Sequence, residues 1–305
     1  DPSHHALLGD SFQGCSGLTS VDMPLVTDIG GGAFEDATSL TTIYADSVTV
    51  VNDDAFSNTA LTSADLPAAI RINARSFKNI ASLEWVNVPL ATELADEAFK
   101  SCTSLKYVNA SSALRLEIEA FNGCTSLVHL DMPLVTQLGP DVCLSCTSLL
   151  SVNLPSAELI GAGAFKFATS LQNVTLPLVT SLGDNAFFNC HNLTSYNMNY
   201  GWYGASIKDI GASCFSSCYS LSGDLEFPGS MWSVGAYAFF QCTGFTSYTN
   251  PPGLTPPATT FEACCTYSPA PSGQPTGQPS QPTGQPTGQP SQPSGQPTGQ
   301  PTFSL

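Results

Sequence analysis

Cysteine is the residue type best placed to do chemistry in this chain, with eleven copies among 305 residues. Eight share one column, three residues after a recurring Phe: Cys15, Cys102, Cys124, Cys146, Cys190, Cys218, Cys242 and Cys264. Elsewhere that column holds Ala37, Ile80 and Ala168, so it reads as a small, buried, apolar position rather than a redox or metal centre. Cys143 and Cys146 form C-x-x-C, but no second pair stands at zinc-finger spacing, which argues against a zinc or thioredoxin-like site. Cys214 with Cys218, and Cys242 with Cys264 or Cys265, are spaced to close the C-terminal end in an oxidising compartment. His4, His5, His129 and His191 are too scattered for a metal cluster, and Glu117 and Glu119 have no cleft around them to hold a substrate. No G-x-S-x-G, H-E-x-x-H, P-loop or dinucleotide fingerprint occurs. The expectation is a non-enzyme with no catalytic residues, no metal and no cofactor.

These columns exist because the chain repeats. An aromatic returns at a step close to 22 residues: Phe12, Phe34, Phe56, Phe77, Phe99, Phe121, Phe165, Phe187, Phe215, Phe239 and Phe261, with Cys143 in the one vacant place. Self-similarity at that period means a solenoid, whose turns bury their apolar faces only against one another. After each Phe comes L-x-x-V-x-L-P, as at Leu127, Leu130, Met132 and Pro133. Its last two apolar positions are two apart, which is strand periodicity with one face buried. Pro lacks an N–H for the ladder and ends the strand. A second apolar step, such as Val135 to Leu138, returns the chain to the core, and Gly139 and its equivalents allow a bend. The short x-x-A-F segment predicts a helical or 3₁₀ turn, or a second short strand, with Phe inward. The Phe56 to Phe77 step is one residue shorter, absorbed near Asn58 to Leu61, and the longer Phe187 to Phe215 step places a bulge at Asn199 to Ala205.

The outward strand positions then become the candidate site. Eight residues after the Phe the chain is mostly small and polar, but three consecutive turns carry Trp85, Tyr107 and His129. Stacked side by side on an open sheet, they are candidate anchors for a partner; a ladder that merely stabilises the sheet is the competing reading. The next outward column flanks them with Asn87, Asn109 and Asp131. Asn109, Asn173 and Asn192 lie in N-glycosylation sequons.

Composition narrows the partner. Eight Lys and Arg against 24 Asp and Glu give a formal net charge of −16. Such a surface disfavours nucleic acid and anionic membranes. Six basic residues (Arg71, Arg75, Lys78, Lys100, Lys106 and Arg115) fall in one stretch and read as solvated side chains. No apolar run reaches the roughly 18 residues of a membrane span. From Ser268 the chain is almost entirely Pro, Gly, Gln, Ser and Thr, which predicts a disordered stalk over 268–305 beyond a solenoid over 1–267. The first residues start part-way through a repeat, so a piece of something longer is expected.

The unit I-G-x-x-A-F-x-x-C-T-S-L-x-x-V-x-L-P-x-V-T-x-I-G, seen well at Leu138 to Pro155 and Ile160 to Pro177, resembles the BspA-type leucine-rich repeat. The resemblance implies a repeat solenoid: an arc of about twelve turns, with a parallel β-sheet on one face and short turns or 3₁₀ segments on the other. It also implies an extracellular or cell-surface binding or adhesion module for a protein or glycan. The alternative is a structural wall or matrix component attached through its tail. Oligomeric state is left open.

Overall fold

A computed structural model describes residues 5–197 and 207–267. The expected bulge and stalk, Asn199 to Ala205 and 268–305, lie outside the described residues.

The chain winds as a parallel β-solenoid, with no helix among the described residues. Each turn contributes two strands. The second apolar step, read above only as a return to the core, is itself a two-residue strand. Eleven of these, from Ala6–Leu7 to Ser233–Val234, pair in sequence order into one continuous parallel sheet. The L-x-x-V-x-L segments form three-residue strands on a second sheet that is broken into groups. One group joins Ser63–Asp65, Trp85–Asn87 and Tyr107–Asn109. Another runs from His129–Asp131 through Ser151–Asn153 and Asn173–Thr175 to Ser195–Asn197. The short step after Phe56 is absorbed before Leu61, which is fully buried.

The x-x-A-F segment is neither a 3₁₀ turn nor a strand. In each turn from Phe12 to Phe239, with Cys143 in the Phe place, the residues two before and two after adopt positive φ, as at Asp54 (57°) and Asn58 (58°) around Phe56. The left-handed residues stand four apart, and every second N–H group points to the following turn while those between bond within their own turn. Phe34 N donates to Ala55 O at 2.8 Å, and Asp36 N to Ser57 O at 3.0 Å. Left-handed backbone costs about 1–2 kcal/mol per non-Gly residue; here inter-turn hydrogen bonds hold it in place.

Inside this ladder the Phe rings stack. Phe77 and Phe99 centroids lie 5.3 Å apart and Phe99 and Phe121 5.5 Å, with planes 8° and 7° from parallel. From Phe34 to Phe239 each Phe of the column is at most 1% exposed; Phe12, covered on one side only, is 38% exposed. The cysteine column lies beside the stack. Cys102, Cys124, Cys146, Cys190, Cys218 and Cys242 are buried, and each thiol donates to the Phe carbonyl of the turn before, at 2.9–3.2 Å. Cys143 is fully buried as well. At the bend, a Cβ added to Gly161 would meet the Gly139 carbonyl oxygen at 2.4 Å, so the turns touch there and only Gly fits.

Candidate functional site: the interrupted strand face

Pleating sends alternate side chains of each three-residue strand outward. In Trp85–Asn87 and Tyr107–Asn109 the middle Val faces the core and the flanking residues face solvent. Trp85 and Tyr107 are direct register partners, as are Asn87 and Asn109. The two aromatics are 40% and 62% exposed.

The sheet stops between Tyr107–Asn109 and His129–Asp131: these strands are not paired. The two-residue strands of the same turns, Arg115–Leu116 and Gln137–Leu138, remain paired. The break separates His129 from the Trp85–Tyr107 pair. His129 is exposed, and its Nδ1 contacts Ser151 Oγ at 2.7 Å, one turn further on. The six predicted site residues therefore divide into Trp85, Tyr107, Asn87 and Asn109 on one side of the break and His129 and Asp131 on the other.

A column of amides and carboxylates runs along the strands on each side of the break. Asn87 Nδ2 donates to Asp65 Oδ1 at 2.8 Å, and Asn109 Nδ2 to Asn87 Oδ1 at 2.7 Å. Beyond the break, Asn153 Nδ2 donates to Asp131 Oδ1 at 2.9 Å. Each of these three amide nitrogens donates toward the preceding turn. At the break the column places Asn109 at the end of one group of strands and Asp131 at the start of the next, and both present oxygens able to accept hydrogen bonds.

The basic stretch keeps much of its solvent exposure, as expected, but most of its cations are paired rather than free. Arg75 pairs with Asp54 at 2.8 Å, Lys78 with Glu97 at 2.5 Å, Lys106 with Glu84 at 2.9 Å and Arg115 with Glu117 at 2.8 Å, while Lys100 bridges Glu97 and Glu119. The Lys78 hydrogen bond, helped by Lys100, holds the Glu97 carboxyl below its ordinary value. Glu119 holds the Lys100 ammonium above its own. These cations are spoken for by carboxylates of the same surface.

Two features escaped the sequence reading. Shallow clefts of about 390 and 340 Å³ open beside the two-residue strands, lined by Arg71, Asn73 and Glu93 and by Asp96, Arg115 and Glu117. The signal was present: Asn73, Ala95 and Glu117 stand where other turns have Gly. On the Phe-turn side, the exposed Phe167 packs edge-on to Phe188, with Lys166 Nζ 5.4 Å from the Phe167 centroid. Tyr237 packs likewise against Phe240. Phe167 and Tyr237 have φ of 62° and 58°, a left-handed conformation that bulky residues seldom adopt.

Known proteins place the chain. The model of the BspA type leucine rich repeat region matches in six copies, over residues 8–128, 49–170 and 136–266. No curated protein matches it. A leucine-rich repeat protein from Bacteroides ovatus is similar in structure, with 23% identity over 85% of this chain and 80% of that one, at a TM-score of 0.56. A leucine rich cell surface protein from Faecalibacterium prausnitzii is 23% identical over 88% of this chain and 83% of its own, at a TM-score of 0.47. The T. pallidum leucine rich repeat protein is 28% identical over 52% of this chain and 78% of its own, at 0.48. With the family model spanning nearly all of the described solenoid, and the Phe, Cys and Leu columns that define the unit buried in every central turn, this chain belongs to the BspA-type leucine-rich repeat family.

Proposed function

We propose that the protein is an extracellular or surface-displayed binding module that holds a protein or glycan on the strand face at the sheet break. The carrying observation is the exposed Trp85–Tyr107 pair, in register on hydrogen-bonded strands and flanked by the Asn87–Asn109 amide column. Rigid aromatics supply contact area at little entropic cost, and carboxylate and amide oxygens receive ligand hydroxyls or N–H groups. A glycan meets both demands, with C–H faces for the rings and hydroxyls for the acceptors. A peptide segment meets them through side chains and N–H groups. No helix among the described residues is long and apolar enough to cross a membrane. The acidic surface, whose few cations are largely paired internally, argues against a nucleic-acid partner.

The test is a glycan and protein array probed with the wild-type chain and with Trp85→Ala/Tyr107→Ala. Truncating interface aromatics costs about 2 kcal/mol or more each where they are anchors, equivalent to at least a tenfold weaker affinity. Both residues are exposed, so the variant should melt like the wild type. Retained affinity would remove the site.

A further inference from the structure

The buried thiols of the column share one arrangement: enclosed, and donating to a Phe carbonyl one turn back. Burial pushes Cys102 and Cys242 up to about 12, out of reach of thiolate chemistry at neutral pH. Cys264 breaks the arrangement. It stands in the same column, three residues after Phe261, and its backbone N–H bonds to Phe261 O at 3.1 Å. Its Sγ, however, lies 2.8 Å from Cys265 Sγ, and both residues are only half-buried. Two sulfurs at that separation are already inside ordinary non-bonded contact and need to close by less than about 1 Å to reach a disulfide length near 2.05 Å.

We propose that Cys264 and Cys265 are a redox site: a vicinal dithiol that low-molecular-weight disulfides oxidise to a Cys264–Cys265 disulfide. The chemistry balances in two exchanges. The Cys265 thiolate attacks one sulfur of R–S–S–R, forming a mixed disulfide and releasing one thiolate, which takes up a proton. Cys264 then gives up its proton and attacks the Cys265 sulfur, closing the ring and releasing the second thiolate, which is protonated in turn. The protein loses two electrons and two protons, and the oxidant becomes two thiols. The order of attack has support: the contact with Cys264 holds Cys265 below the ordinary thiol value, and the same contact pushes Cys264 up. The pair sits between the Phe261 turn and the strand Thr266–Tyr267, which pairs with Phe245–Thr249. Closing the ring therefore stiffens the link into that strand, whose partner strand carries Tyr248, stacked on Phe261 with centroids 3.7 Å apart.

The test is a peptide map of the full chain after equilibration with oxidised glutathione and alkylation without reductant. The expected map shows the Cys264–Cys265 segment two hydrogens lighter and unalkylated, with both thiols alkylated once a reductant is added. Alkylation of both before reduction, or a cross-link from either to Cys242, would overturn the proposal. The Cys264→Ser variant extends it: glutathione should accumulate on Cys265 as a stable mixed disulfide, whereas in the wild type that adduct resolves. Failure of Cys265 to take up glutathione in the variant would contradict the order of attack and the site with it.

Discussion

The turns around Trp85 and Tyr107 and the turns from Phe165 to Phe240 use the same inward spine and opposite outward faces. In the first region the strand face carries the aromatics, and the Phe-turn face is covered by the Lys78, Glu97, Lys100 and Glu119 ion pairs. In the second, the strand face shows small polar residues such as Asn173 and Thr175, and the aromatics Phe167, Phe188, Tyr237 and Phe240 have moved to the Phe-turn face. Their bends differ as well. Gly161, Gly183 and Gly211 press on the preceding turn, where an added Cβ would meet backbone at 2.4–2.5 Å. Asn73, Ala95 and Glu117 take the equivalent places in the first region, where the clefts open. The spine thus sets the fold, and outward columns vary freely around it. Function is to be sought where a column departs from its own norm.

The largest test of this division is Phe99→Ala. Phe99 is sandwiched between Phe77 and Phe121, so its loss should cost about 3–5 kcal/mol in urea unfolding. A cost below that of an ordinary surface change would mean the stack is not the common spine. Phe167→Asn should act the other way. It relieves a left-handed strain of about 1–2 kcal/mol and gives up an exposed edge contact of about 1 kcal/mol, for a small net gain in melting temperature. A loss on the scale of Phe99→Ala would make Phe167 part of the core after all.

The smallest effect is expected at Glu97→Gln, which removes the shared acceptor of Lys78 and Lys100. Partly exposed pairs are worth about 0.2–1 kcal/mol. Because the folded Glu97 value is depressed, its contribution is present above the unfolded carboxyl value near 4.3 and is lost as pH falls through the folded value. Denaturation curves of wild type and variant should therefore differ at neutral pH and converge below about pH 4. A gap that widens on acidification would reverse the assignment.

Much of this was legible in the residues, for physical reasons that differ by element. The Phe and Leu columns are long-range copies of one apolar constraint, and Pro after the strand is a backbone rule, so period, strand and inward Phe could all be read. The left-handed positions were half visible. Asp36, Asp54, Asn58 and Asn79 are residues that tolerate it, but Arg75, Glu97 and Phe167 in the same columns hide it. The ion pairs were invisible for a related reason. Lys78 and Glu97 are 19 residues apart, a spacing with meaning only once the turn geometry is known. The strand-face residues were placed on the correct sheet, but the break between Tyr107 and His129 has no signature in type or spacing.

The most direct measurement of the central claim is a hydroxyl-radical footprint of the full chain with and without the strongest array ligand. Protection concentrated on Trp85 and Tyr107, with Phe167 and Tyr237 labelled equally in both states, is the predicted result. Protection of Phe167 and Tyr237 with Trp85 and Tyr107 unchanged would put the binding surface on the opposite face and contradict the account.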